Sequence, residues 1–410
     1  MKNTVAFLLM SFALVLPSIP RAKPAEKVIY SFAGGGSGAT TTGILTFDQA
    51  GNLYGVAAGA GTGLNGVVFK LTLTKAGRWT KRDLYSFAGG TDGSGPAGGV
   101  IFDEAGNLYG VTSDGGSGGS GTVFELKPGK NGHWTKKILY SFTGGSDGSS
   151  PDSILIFDKA GNLYGTTPSG GSAGNGTVFE LTPGQSGRWK EKVLHAFQGN
   201  TDGAQPLLAG VIFDGAGNLY GTTELGGKYG IGTVFELSLE GGKWTETILH
   251  AFQGTPDGRN PAAGLVLSGG NLYGTTYSGG NSACGVDNGC GTVFQLAPNG
   301  GKWRETIIHS FQGKDGIETF ATPVFDQAGN LYGTTFEGGS GPCSVCGTAL
   351  ELTPTAHGKW RETVLHDFGS RVGDAGTPAS GVILSKSGKL VGTTILGGKD
   401  NAGAVYEITP

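Results

Sequence analysis

A chain of 410 residues with 29 Lys and Arg against 32 Asp and Glu carries a formal net charge of −3, with only 15% charged residues. That balance excludes a protein built to grip a phosphate backbone, so no nucleic-acid partner is expected. Glycine (81 residues) and proline (17) would signal low complexity if aperiodic, but here the glycines recur at a fixed period.

The chain opens MKNTVAFLLMSFALVLP, a single early charge at Lys2 followed by an apolar run from Val5 to Leu16 that is too short to span a bilayer. This is the pattern of a secretory signal peptide, assigned to residues 1–25, with Ser18, Ala22 and Ala25 as alternative cleavage positions. Residues 26–410 are expected to form one domain. No second spanning stretch follows, no cysteine beside the apolar run offers a lipid attachment point, and the end Val405 to Pro410 has no sorting tail. The expected location is the periplasm or the cell exterior, without stable membrane insertion.

From there one phrase organises the chain. GNLYG starts at Gly51, Gly106, Gly161, Gly217, Gly270 and Gly329, and a degenerate GKLVG starts at Gly388, at spacings of 55, 55, 56, 53, 59 and 59 residues. A period of this size fits one four-stranded propeller blade with its loops. Strand a is an apolar run ending in Asp or Ser, such as Ile154 to Asp158, read as buried on both faces. Strand b is NLYGTT, and strand c is GTVFEL, from Gly66 in the first repeat to Gly403 in the last. Strand d runs from Trp79, Trp134, Trp189, Trp244, Trp303 and Trp360 to a Phe eight residues on, so all six tryptophans occupy one repeat position, expected in the core. Strands a, b and c occur seven times, yet the chain stops after the seventh c, and a lone d-like segment, Val28 to Phe32, precedes the first a. The expected fold is therefore all-β: a seven-bladed β-propeller of four antiparallel strands per blade, closed by the N-terminal strand completing the last blade.

The run FDxAGNLYGTTxxGGxxGxGTVFEL, followed by GxW and VLYSF, resembles the GloVer (Gloeo/Verruco) tandem-repeat family over residues 28–410. That resemblance implies a secreted or surface bacterial repeat protein of no established activity. Members carry various anchors, and the missing C-terminal anchor pattern sets this chain apart.

Strand alternation puts the d-to-a and b-to-c loops on one face and the short a-to-b and c-to-d turns on the other, which is expected to offer no pocket. In the d-to-a loops an Asp recurs at 92, 147, 202, 257, 315 and 374. Each loop supplies too few oxygens for calcium, so the expectation is turn formation. The histidines His195, His250, His309 and His366 replace Tyr30, Tyr85 and Tyr140 at one strand-d position and read as packing residues. The b-to-c loops of blades five and six carry the insertions and all four cysteines, Cys284 with Cys290 and Cys343 with Cys346. In an exported chain these read as two local disulfides, with a four-cysteine zinc site or cross-paired disulfides as alternatives.

No catalytic motif stands in its required context, and the GxSxG strings at Gly115 and Gly170 lie between strands rather than at a strand-to-helix elbow. No catalytic residue, cofactor or metal ligand is assigned. Candidate binding residues are those that break the repeat on the loop-rich face: Asp114, Glu224, Tyr277, Phe336 and Glu337 after strand b, and Arg259, Glu318 and Arg371 in the d-to-a loops. The expected function is a monomeric, non-enzymatic binding or scaffold protein for an extracellular glycan or a surface protein. The alternative is a hydrolase or lyase acting on carbohydrate or lactone through carboxylates on that face.

Overall fold

The turn that opens each repeat is held by its own side chains. In the second repeat the Asp103 carboxylate accepts hydrogen bonds from the backbone N–H and side-chain amide of Asn107, and Tyr109 donates its hydroxyl to the same carboxylate. The computed structural model describes residues 24–33, 41, 43–208, 210–284, 289–343, 345–356 and 358–410. The signal-peptide reading on residues 1–23 lies outside them.

Past the turn, strand b pairs antiparallel with strand c, so that in the third blade Gly165 faces Phe179. A Cβ at Gly165 would lie 2.7 Å from the tip of that ring, so the second glycine of GNLYG is the bed on which the Phe of GTVFEL rests. The glycine that opens strand c answers a different need. Gly176 has φ of +97°, and a Cβ there would lie 2.7 Å from Pro206 in the loop leading to the next blade. That glycine and proline bring neighbouring blades into contact.

Seven four-stranded antiparallel sheets result. Six run in chain order. The seventh combines Ile383–Leu384, Leu390–Thr394 and Ala404–Thr409 with the N-terminal strand Ala25–Ser31, which pairs with Ala404–Thr409 from Ala25↔Thr409 to Ser31↔Ala404. Ring closure is as expected from the strand count, but the closing strand starts three residues before Val28, because Thr409 and Ile408 extend the ladder to Ala25 and Glu26.

The apolar core lies between blades. One cluster joins Tyr54, Val56, Val68 and Phe87 of blade one to Val100, Leu108 and Phe124 of blade two. Its centre is an edge-to-face pair of the strand-d Phe of one blade with the strand-c ring of the next: Phe87 with Phe124, Phe142 with Phe179, Phe197 with Phe235, Phe252 with Phe294, each at 5.2 Å. Two expectations change. The tryptophans are half-buried on the outer edge of the seams rather than in the core, as where Trp189 packs on Tyr109 of blade two. Strand a is short, two paired residues in blades such as the third (Ile156–Phe157), because its upstream part turns towards the axis.

Blade six breaks the aromatic pattern. Leu350 stands where the other strands c carry Phe or Tyr, nothing lies within 4 Å of a Cβ built on Gly333, and a void of about 10 Å³ is lined by Phe311, Gly333 and Leu350. Leu350→Phe is expected to fill it and raise stability by about 1 kcal/mol, read as a higher midpoint in denaturant; a lower midpoint would mean that the seam has no room. Deleting residues 24–33 is expected to expose the edge of Ala404–Thr409, lowering the melting temperature by roughly 10 °C or more and causing aggregation. Unchanged melting and solubility would refute closure by that strand.

Candidate functional site

On the loop-rich face the d-to-a loops that enter blades two to seven are zipped to the b-to-c loops of the same blades. Gly258–Arg259 pairs with Ser278–Gly279, Ala204 bridges Leu225, and Ile317 bridges Glu337. Backbone N–H groups continue the zipper from Tyr277 to the Asn260 carbonyl and from Phe336 to the Glu318 carbonyl. These contacts fix loops that would otherwise be irregular, and they draw the symmetry-breaking residues of blades four to six together.

The resulting cluster is aromatic and acidic. The Tyr277 ring lies 4.8 Å from Phe320, and Phe320 lies 5.5 Å from Phe336, edge to face. Phe320 also lines a cavity of about 110 Å³ whose walls come from six blades, including Ile44, Ile154, Leu208 and Ser380, which places it on the ring axis. Burial raises the Tyr277 hydroxyl above its ordinary range, as do its hydrogen bond to Glu318 and the charges of Glu318, Glu337 and Glu224. Burial likewise raises Glu224 and, despite the bond from Tyr277 and with help from Glu337, Glu318. Deeper in, burial pushes Asp152 up to about 7 against the hydrogen bond from the Leu208 N–H, with Glu224 adding to the rise.

Tyr277, Phe336, Glu337, Glu224 and Glu318 therefore share one neighbourhood. Arg259 borders it, its Nε donating to Asn260, whose amide in turn donates to the Glu224 carbonyl. Asp114 and Arg371 do not belong. Asp114 is exposed at the end of its strand in blade two and accepts from Ser113. Arg371 lies against Glu26 of the closing strand, 2.7 Å from its carboxylate. Phe320 and Asp152 escaped sequence reading; the one signal was their departure from the repeat in the d-to-a loops.

A second set of polar groups lies in the seams. The recurrent loop Asp accepts a backbone N–H four residues before it in most blades, as expected of a turn former, and also binds the strand-d Tyr or His. Distances are 2.8 Å for Tyr85 to Asp92, 2.9 Å for His195 to Asp202 and 3.1 Å for His250 to Asp257. The histidines are thus hydrogen-bonded to carboxylates as well as packed on Phe rings. A third residue enters from strand d of the following blade: Lys136 at Asp92, Glu246 at Asp202, Glu305 at Asp257 and Glu26 at Asp374. Burial, with the adjacent Asp charge, pushes Glu26, Glu191 and Glu305 up to about 7, while burial and a hydrogen bond with Asp202 push Glu246 up to about 9.

Both insertions are stapled as expected, Cys284 to Cys290 and Cys343 to Cys346. The pairings rule out the four-cysteine zinc site and the cross-paired alternative. The opposite face differs from expectation: grooves of about 400 and 530 Å³ run between neighbouring turns, lined by residues such as Asp103, Glu104, Asp158 and Lys159. They lie between the a-to-b turns of neighbouring blades, and the carboxylates Asp103 and Asp158 are already bonded within their own turns. Among the described residues no helix is long and apolar enough to cross a membrane.

Seven closed blades, with variable loops gathered on one face, define a β-propeller that presents one irregular surface around its axis. The chain belongs to the Gloeobacter/Verrucomicrobia repeat family, whose pattern matches residues 18–212 and 174–406. No curated protein matches it in sequence. Among solved structures it is similar to an ancestral GH74 enzyme, at 12% identity and a TM-score of 0.57, covering 90% of this chain and 48% of that one. It is also similar to the extracellular domain of a protein described as a hybrid two-component system of B. thetaiotaomicron, at 9% identity and a TM-score of 0.58, covering 92% and 39%. The chain thus spans half or less of either structure, and likeness at this identity concerns the fold.

The seam between blades two and three gives a pH prediction. Glu191 ionises at about 7 in the folded protein against 4.5 in the unfolded chain, because it is buried and faces Asp147. Its contribution to stability is full below about pH 4.5 and is lost as pH rises through 7. Glu191→Gln should melt like the parent at pH 5 and be the more stable at pH 8.5, by up to roughly 2 kcal/mol after allowing for solvent screening. Equal melting curves at both pH values would place the Glu191 carboxyl in water.

Proposed function

We propose that the protein is an extracellular or periplasmic binding propeller that takes a carbohydrate chain at the axial mouth beside blades four to six. The observation that carries this reading is the cluster of Tyr277, Phe320 and Phe336 with Glu224, Glu318 and Glu337 around them. Aromatic faces stack on the apolar face of a sugar ring, and carboxylates accept its hydroxyl hydrogen bonds, which fixes orientation without chemistry. The two disulfides lie in the loops that follow Tyr277 and Glu337, where covalent stapling lowers the ordering cost of binding and fits an oxidising compartment.

A second reading, carbohydrate hydrolysis at the same mouth, is favoured by the raised carboxyls of Glu318, Glu224 and Asp152. A carboxyl whose hold on its proton is strengthened by burial suits a general acid, and hydrolysis needs a second carboxylate opposite it. The fold shared with a GH74 enzyme is compatible with either reading.

A panel of polysaccharides screened by thermal stabilisation identifies the ligand, since a true ligand raises the melting temperature. Against that ligand Tyr277→Ala should weaken binding roughly tenfold and Glu337→Ala several-fold, with unchanged circular dichroism, whereas Glu104→Ala on the opposite face should have no effect. Full affinity in both loop variants would remove the site from this mouth. Release of new reducing ends, lost in Glu318→Gln with binding retained, would select the hydrolytic reading instead.

A further inference from the structure

The seams hold an internal comparison. In the seam between blades one and two, Asp92 is bonded to Tyr85 and neutralised by the Lys136 ammonium, 2.7 Å away, on a side chain only 5% exposed. In the seam between blades three and four the same positions hold His195, Asp202 and Glu246. Tyrosine has become histidine, and the built-in cation has become a second carboxylate. The groups gathered there are now all potential metal ligands, and the Oε1 atom of Glu246 is buried with no N–H or hydroxyl donating to it, its neighbour Asp202 being a second carboxyl that can meet it only through a shared proton or a cation.

We propose that this seam, and its two counterparts at His250 and His366, each bind a divalent transition-metal ion of the zinc class through one imidazole nitrogen and two carboxylates. In each of the three, one ligand atom per residue lies within 4.8 Å of the others. Bonds of roughly 2.0–2.1 Å in a tetrahedral site separate ligand atoms by roughly 3.4 Å. His195 Nε2 lies 2.9 Å from Asp202 Oδ1 and 3.7 Å from Glu246 Oε1, so the spacing brackets that value without rearrangement of the backbone. Mixed imidazole and carboxylate donors suit zinc rather than calcium or magnesium, and water completes the shell.

Glu26 supplies independent support. Its side chain is 0% exposed, one oxygen is taken by Arg371 at 2.7 Å, and Oε1 is buried without a hydrogen-bond partner in the cluster with His366 and Asp374. A buried, unpaired carboxylate oxygen is costly unless a cation or proton meets it. An ion there ties the closing strand to blade six. The seam of His309, Asp315 and Glu362 serves as a natural control. Its loop places Asp315 four residues after Phe311, against five from Phe197 to Asp202 and six from Phe368 to Asp374, and although His309 lies 2.9 Å from Asp315, Glu362 does not join them as the third ligand does in the other seams.

The test uses the purified protein, stripped with chelator, loaded with zinc at pH 8 and freed of loose ion by gel filtration. Elemental analysis should find three zinc ions per chain, with a higher melting temperature, and cobalt(II) in place of zinc should give visible d–d absorption. The double variant His195→Tyr, Glu246→Lys rebuilds the Lys136-type seam and should retain two ions. Glu246→Gln, which keeps shape and hydrogen bonding, should do the same if the double variant misfolds. Less than about half an equivalent of retained metal overturns the proposal, as does full retention in either variant. Stabilisation by acid alone, with no retained metal, would make the proton the occupant and equally overturn it.

Discussion

The contact on which the rest depends is the one between blades. A four-stranded blade is a thin sheet with two apolar faces, and neither can be buried within the blade itself. Burial comes from the neighbour: the strand-d Phe of one blade meets the strand-c ring of the next edge to face, and the strand-c glycine lets the neighbour's proline close in. Only a ring buries all such faces, and the last pair, Phe368 with Tyr406, together with Phe32 against Phe69, exists because Ala25–Ser31 and Ala404–Thr409 share one sheet. The two strands that close the ring are thereby buried against blades one and six as well as paired with each other.

That constraint also decides where function can sit. Apolar residues inside the seams are fixed by packing in two blades at once, so change there is limited to polar positions such as His195 and Glu246, and the larger departures lie in loops. On the axial side those loops are pinned by short bridges such as Ile317↔Glu337, which hold side chains in place without committing them to the core. Tyr277, Phe320 and Phe336 are aromatic residues that the fold does not need: the corresponding positions in other blades carry Ser113, Pro168 and Glu224 after strand b.

Period, blade number and ring closure were legible in the sequence because each follows from recurrence, and a missing seventh strand d has one place to come from. Both disulfides were legible because each insertion carries its own pair of cysteines. Tyr277, Phe336, Glu224 and Glu337 were found as departures from the repeat. Asp114 and Arg371 depart from it equally, and only the three-dimensional ring shows them engaged elsewhere, Asp114 by Ser113 and Arg371 by Glu26 of the closing strand. The seam clusters were hidden for a different reason. His195 and Asp202 are close in sequence, but Glu246 comes from the next repeat, at a position where Lys and Glu both look like ordinary exposed residues of an outer strand. Its register against the preceding blade is a tertiary fact.

The seams also show that a repeat can keep its geometry while changing its electrostatics. Every loop Asp in a seam must be answered by something. Where the loop after Phe32 has no acidic residue at all before Phe47, Asp83 on the outer strand of blade one takes over, pairing with Lys81 and facing Tyr30. Lysine therefore persists only where the partner is Tyr30 or Tyr85. Tyr140 faces Glu191, and every later seam couples His with Glu. A tyrosine hydroxyl can only donate one proton to the Asp, and beside Tyr85 the remaining charge is met by Lys136. An imidazole can carry a proton or bind an ion, which lets a carboxylate replace the lysine without leaving the Asp unanswered. In four seams the imidazole and the carboxylate occur together on two different blades, whereas the seam of Tyr140 and Glu191 carries the carboxylate without the imidazole and keeps it protonated up to about pH 7 by burial beside Asp147.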